Sequence, residues 1–227
     1  MIKPSKSIVI AVDGTAASGK GTLAKKLAAH FGFAHLDSGA LYRLTALAVL
    51  AAKGDPKNQA DALKGAQSMD LSLAGDLSIR TDVVGQAASH VAAIPVVRQA
   101  LLDFQQSFLS HPPGNSPGAV MDGRDIGTVI APDAAAKLYI DARAELRAHR
   151  RWLELKSMGI ERDEKGLLAE LNARDAADKS RPISPLKLAP DADLLDTSDL
   201  GIDAAFAAAL ALVSPKVEGA LKNRHRG

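Results

Sequence analysis

The chain has 227 residues, enough for one large core or for a core carrying a small inserted lobe. Its 28 basic and 26 acidic side chains leave a net charge of +2, which creates no global field demanding a nucleic acid or a membrane as partner. The absence of cysteine excludes disulfides, zinc–thiolate sites and thiol nucleophiles, and aromatics at only 4% beside abundant alanine favour packed helices over a β-sandwich.

Met1–Ser7 is polar, and the apolar run after it is too brief for a signal-peptide core. No run approaches ~20 apolar residues, so no bilayer span is expected and the cytoplasm is the expected compartment. Ile8–Val12 is β-branched and reads as a buried strand, followed by Gly and Ser and then a helix over Gly21–Phe31. Phe33–Leu36 reads as a second short strand. Ser38–Ala52 reads as a helix stopped by Gly54 and Pro56. Lys53–Thr81 is weakly patterned and reads as a short helix and one small hairpin. Val83–Leu109 is helical in composition, with Pro95 as a start or a kink, and Ser110–Gly118 is a Pro/Gly-rich loop. Ala119–Met121 is short and apolar, and ends in Asp122-Gly123. Lys137–Asp141 reads as a strand, Ala142–Ser157 as a basic helix and Asp163–Lys179 as a second charged helix. Pro182, Pro185 and Pro190 mark an irregular stretch before a last strand, Asp193–Asp196, and a last helix, Ile202–Val213. Strands separated by helices imply an α/β fold with a parallel sheet covered on both faces, and ligands in such sheets sit beyond the carboxyl ends of the strands.

The sharpest motif is Gly14-Thr15-Ala16-Ala17-Ser18-Gly19-Lys20-Gly21-Thr22, placed between a strand and a helix. Glycines let the backbone curl so that successive N–H groups point at phosphate oxygens, and the helix N-terminus adds partial positive charge. Lys20 supplies a movable cation for the β- and γ-phosphates of ATP. Gly21 stands where the general pattern has Ser or Thr, and Thr22 comes next. That arrangement resembles nucleoside-monophosphate kinases, in which Mg²⁺ is held largely through waters. Asp122 reads either as a carboxylate that orients the magnesium's water shell, with Thr22, or as a turn-forming Asp-Gly.

Three further segments suit an acceptor. In Leu36-Asp37-Ser38-Gly39-Ala40-Leu41-Tyr42-Arg43, Asp37-Ser38 can cap a helix, and the Arg43 guanidinium can fork onto a phosphate. Gly123-Arg124-Asp125-Ile126-Gly127-Thr128 follows a strand end, and its glycines favour a ligand role for Arg124 and Asp125 over a structural pair. In Ser89–Arg98, His90 reads as a surface or packing residue rather than a base, because an acceptor phosphate is already ionised. Arg147, Arg150 and Arg151 are spaced i, i+3, i+4, and Arg174, Asp178 and Arg181 i, i+4, i+7. They form either two solvated faces or a lid that brings positive charge over the moving phosphoryl group.

With GTAASGKGT, LDSGALYR, ASHVAAIPVVR, DGRDIGTVI, ERDEKGLLAELNARDAADKSRP and ADLLDTSDL in order across residues 8–206, the chain resembles the bacterial cytidylate kinases. The resemblance implies an α/β sheet of roughly five parallel strands of the P-loop type. It implies a core over 1–54, 110–142 and 183–227, a nucleotide-monophosphate-binding insert over about 55–109, and a helical lid over about 143–182. It further implies transfer of the γ-phosphate of ATP, with Mg²⁺, to CMP or dCMP in pyrimidine nucleotide metabolism. Gly14 to Thr22 would hold ATP, and Lys20, Arg147, Arg150 and Arg174 would act in catalysis. Ser38, Gly39, Tyr42, Arg43, Ser89, Arg98, Arg124, Asp125, Arg174, Asp178 and Arg181 would hold the acceptor, with Ser89, Arg98 and Asp125 on the cytosine edge. A monomer is implied, with no nucleic-acid or membrane partner, and the basic tail Lys222–Arg226 reads as a solvated terminus. Thr15 and Ala17 stand where many relatives have Pro and Gly, and the stretch Leu71–Gly85 is shorter than the β-rich insert usual in the family. A kinase for UMP, AMP or a non-nucleotide acceptor stays open as an alternative. So does a slow NTP-hydrolysing switch, although no guanine-reading Asn-Lys-x-Asp pattern is present.

Overall fold

The computed structural model describes residues 7–224. The readings of Met1–Lys6 and of His225 and Arg226 lie outside the described residues. The chain forms two compact units: one comprises the described residues up to Leu36 and from Leu109 onward, the other Asp37–Phe108.

The larger unit is built on five strands: β1 (Ile8–Gly14), β2 (Ala34–Asp37, whose last residue opens the second unit), β3 (Gly118–Gly123), β4 (Ala136–Asp141) and β5 (Asp193–Asp196). Their order is β2-β3-β1-β4-β5, and β1 runs parallel to both β3 and β4, as β4 does to β5. The expected fold class is the observed one. β1 takes the centre because Ile8, Ile10, Ala11 and Val12 tolerate burial on both faces, as strands of a covered parallel sheet must. The register sets Asp13 beside Gly123 and Tyr139, and Gly14 beside Ile140. The loops that leave β1, β3 and β4 therefore start at one level, along the carboxyl edge of the sheet.

Helix α1 (Lys20–Phe31) packs Leu23, Ala24 and Leu27 on the sheet, and the last helix, α8 (Ile202–Arg224), packs Ala205, Ala209, Val213 and Val217. That spacing of four keeps one stripe facing inward. Helix α8 continues through Pro215, eleven residues past the expected end at Val213. By length and composition it could cross a membrane, contrary to the expectation that no segment could, but its inward stripe is seated in the sheet's core. Helices α6 (Ala144–Ser157) and α7 (Glu164–Ser180) complete the larger unit.

The smaller unit is helical: α2 (Ser38–Ala51), α3 (Gln59–Ser68), α4 (Asp82–Val91) and most of α5 (Pro95–Ser110). Pro95 starts α5 rather than kinking a longer helix. Asp37, Asn58 and Thr81 cap α2, α3 and α4 by accepting N–H groups of their first turns. The expected small hairpin is absent. In its place stand two short 3₁₀ turns, Leu71–Gly75 and Leu77–Arg80. The cause is local: Asp70 accepts from Ser72 N–H at 2.9 Å and Asp76 from Ser78 N–H at 2.7 Å. A carboxylate that bonds two residues ahead competes with any ladder. Helix α3 lies close on α2 at Gly65, where an added Cβ would stand 2.5 Å from Val49 Cγ2 and 2.8 Å from the Thr45 carbonyl oxygen.

Candidate active site around the phosphate loop

The turn from β1 into α1 is Gly14–Gly19. Gly14 has φ 151°, and a Cβ there would meet the Ile140 carbonyl oxygen at 2.0 Å, so no side chain fits. Gly19 caps α1 at φ 88° with open space around it. Between them Ala17 is left-handed at φ 58°, a conformation that costs an L-residue roughly 1–2 kcal/mol. Such a residue persists where its surroundings over-determine it, and left-handed turns of this kind aim successive amides into an anion-binding concavity. The surroundings are dense. Thr15 Oγ1 donates to Asp141 Oδ1 at 2.7 Å, Ser18 Oγ to the Thr15 carbonyl at 3.0 Å, and Thr197 Oγ1 to the Ser18 carbonyl at 3.1 Å. Ala16 N–H donates to Asp175, and Arg147 donates to the Ala16 carbonyl. Lys20 Nζ folds back to the Thr15 carbonyl at 3.3 Å, keeping its charge over the loop. Thr22 is exposed in the first turn of α1.

At the end of β3, Asp122 is buried and its Oδ1 lies 2.8 Å from His35 Nε2. A Cβ on Gly21 would stand 3.5 Å from Asp122 Oδ2, so this carboxylate lies beside the start of α1. Among the described residues no group of three or more His, Asp or Glu could enclose a metal. The donor set therefore fits an ion held mainly through water and a ligand's phosphates, with Thr22 and Asp122 beside it, and does not fit an all-protein cage.

The next loop is anchored from beneath. Asp13 accepts from Ile126 N–H at 2.8 Å and from Gly127 N–H at 2.7 Å, opening a π-helical turn over Ile126–Ile130. Burial pushes the Asp13 carboxyl up to about 6 despite both amides. Arg124 Nε donates to Asp178 Oδ2 of α7 at 2.8 Å. Burial opposes its charge, but Asp178, Asp175 and Asp122 outweigh that and hold its pKa above the usual arginine value. Asp178 is buried too, yet Arg124, Arg174 and Arg181 keep it below the ordinary carboxylate value. Asp125 is buried directly after Arg124.

The arginines of α6 do not share one open face. Arg147 is buried, paired with Asp175, and donates to the carbonyls of Ala16 and Ala142. Arg150 donates to Thr197 Oγ1 at 3.1 Å and to its carbonyl at 2.6 Å, and Arg151 bonds Glu154. Long side chains let Arg147 and Arg150 reach different loops, while Arg151 folds back along its own helix. Arg174 of α7 and Arg181, which caps its end, instead converge on Asp178.

Within the smaller unit, Ser38 is buried in the first turn of α2, and Gly39 leaves room for the capping Asp37 carboxylate, 3.0 Å from where its Cβ would be. Arg43 Nη1 donates to the Ile79 carbonyl at 2.8 Å and lies against Gly85. Ser89 Oγ bonds the Gly85 carbonyl at 3.2 Å. Arg98 bonds the Ala92 carbonyl at 3.2 Å with its guanidinium 5.4 Å from the Tyr42 ring centroid. Arg43 with Gly85 and Ser89 forms one group in this unit, and Tyr42 with Arg98 another.

Sequence reasoning gave no role to Asp13, His35, Asp141, Asp175 or Thr197. Asp13 and Asp141 end strands beside the loop, which was a usable signal. Asp175 adjoins Arg174, but its partner Arg147 is 28 residues away and no pattern links them.

A central parallel strand that opens through a glycine-rich turn into a helix headed by lysine defines a P-loop protein, the class that cradles nucleotide phosphates. The profile of the cytidylate kinase family matches residues 10–214, and the chain belongs to that family. It is 48% identical over 209 residues to the cytidylate kinase of Rhodospirillum rubrum, covering 92% of this chain and 98% of that one. It is 52% identical to that of Bradyrhizobium sp. strain ORS 278, covering 91% and 95%. A crystal structure of an uncharacterized protein from Eubacterium ventriosum has a similar fold, with a TM-score of 0.50 at 15% identity, covering 92% of this chain and 99% of that one.

Proposed function

We propose that this enzyme transfers the γ-phosphate of ATP to CMP or dCMP, giving ADP and CDP or dCDP. The observation that carries the reading is the phosphate loop at the head of α1, in a chain of the cytidylate kinase family. The loop Gly14–Thr22 holds the phosphates of ATP, and Lys20 follows the β- and γ-phosphates. Magnesium, when bound beside Thr22 and Asp122, neutralises phosphate charge. The acceptor phosphate is already ionised, so its oxygen attacks the γ-phosphorus in line without a general base, and positioning supplies most of the acceleration. Ser38, Gly39, Tyr42, Arg43, Ser89 and Arg98 of the smaller unit hold the acceptor. Arg124, Asp125, Arg174, Asp178 and Arg181 of the larger unit do so as well. Arg43 and Arg124 suit the phosphate, and Ser89, Arg98 and Asp125 suit the edge of cytosine. Arg174 compensates the charge that spreads over the transferring group. Arg150 and Arg147, held on protein carbonyls, act through position. The near-balanced charge supports small-molecule partners rather than a nucleic acid or a membrane, and we propose a cytoplasmic monomer, checked by sedimentation velocity.

The test is ADP formation from MgATP with CMP, dCMP, UMP, AMP or no acceptor. CMP and dCMP are expected to respond strongly, and Lys20→Ala to lower that turnover by ~10³ or more while the protein stays folded. A response to every acceptor alike, or full activity in Lys20→Ala, would refute the assignment.

A further inference from the structure

Both polar groups of Ala16 are taken by charged side chains from outside the phosphate loop. Its N–H donates to Asp175 Oδ1 at 3.1 Å, and its carbonyl accepts from Arg147 Nη1 at 2.9 Å. Arg147 and Asp175 also pair with each other, and Arg147 Nε is fixed by the Ala142 carbonyl at 2.8 Å. The two side chains are 6% and 8% exposed. A pair this buried is a poor source of net stability, because desolvation offsets the attraction. Here its remaining hydrogen-bonding capacity goes to a single residue, the one directly before left-handed Ala17. The Ala16 N–H is therefore committed to Asp175 rather than offered to a phosphate.

We propose that Asp175 and Arg147 are positioning residues for ATP: by gripping Ala16 from both sides they hold Ala17 in the turn that aims the following amides at the phosphates. The inference rests on reading Gly14–Thr22 as the ATP cradle. It separates Asp175 from Asp178, which lies one turn further along α7 and pairs with Arg124. Losing the grip disturbs chiefly the ATP side, because Arg124 keeps its direct partner Asp178.

Asp175→Ala alone would strand a buried guanidinium and can unfold the chain. The test therefore replaces both partners, in Arg147→Met/Asp175→Leu, and adds Asp175→Asn, which keeps an oxygen for the Ala16 N–H. MgADP affinity is measured by titration calorimetry, KM for CMP by ADP formation, and amide exchange at Ala16 and Ala17 in the ligand-free proteins. The double variant is expected to lose about tenfold in MgADP affinity with KM for CMP changed less than about twofold. Its Ala16 and Ala17 amides should exchange faster, and Asp175→Asn should recover part of the loss. A folded double variant that binds MgADP like the wild type, or that loses both substrates equally, would overturn the proposal. If the double variant does not fold, Asp175→Asn and Arg147→Lys decide by the same comparison. Failure of the underlying ATP reading looks different: the wild type itself gives no heat with MgADP, and the inference falls with it.

Discussion

A methyl group on Gly14 would sit 2.0 Å from the Ile140 carbonyl oxygen, which belongs to the backbone of β4 and cannot turn aside. Gly14→Ala must therefore part β1 from β4 or distort the turn, and we expect it to cost about 3 kcal/mol or more in urea unfolding. A neighbouring residue makes a test in pH. Burial raises the Asp13 carboxyl to about 6. Below pH ~4 it is protonated in the folded and unfolded chains alike. Between about 4 and 6 the folded chain keeps a proton that the unfolded chain has lost, so the stability contributed by the neutral form fades as pH rises and is gone above about 6. The stability of the wild type relative to Asp13→Asn should thus fall by up to about 3 kcal/mol over that range and then level off. Urea titrations of both proteins at several pH values check it, and a constant difference would contradict the assignment. At this scale the sequence was legible where one short stretch carries the whole chemistry, as in Gly14–Thr22. It was not legible at Asp175 and Arg147, whose meaning depends on two helices and a loop meeting in space.

Among the elements, β1 could be read as a continuous apolar run because both its faces are buried, and α1 from helical spacing because it buries one apolar stripe. Two readings needed tertiary information. Ser214-Pro215 looks like a helix stop, yet α8 runs on because Val217 extends the stripe begun by Ala205, Ala209 and Val213. Core packing there outweighs the hydrogen bond that proline forfeits. In Leu71–Arg80, within the weakly patterned stretch read as holding a small hairpin, the Asp70 and Asp76 turns prevail. Helix pairing offers a direct test. Gly65 lets α3 approach α2 so closely that Gly65→Ala pushes α3 away from Val49 and the Thr45 carbonyl of α2. We expect a loss of about 1–3 kcal/mol in chemical denaturation. A neutral result would mean that the two helices slide apart freely.

The whole molecule divides into a unit organised by a five-stranded sheet and a helical unit without one. The helical unit also leaves Leu71, Leu77 and Val83 exposed, at 44%, 65% and 65%. Helix α3 buries only Ala62, Gly65 and Ala66 and α4 only Val84, Ala87, Ala88 and Val91, whereas all but one residue of β1 and all but one of β4 are buried, and less burial implies a lower free energy of local opening. Native-state hydrogen exchange should therefore find the amides of α3 and α4 released by smaller openings than those of β1 and β4. A single opening energy for all of them would show that the chain behaves as one cooperative block. The chain leaves the sheet at the end of β2 and returns to it in β3, the strand beside it, so the smaller unit is an excursion between adjacent strands. An excursion of that kind is a cassette. Exchanging residues 37–108 between relatives would leave the order of the five strands as it is, because the chain departs and returns at neighbouring positions in the sheet.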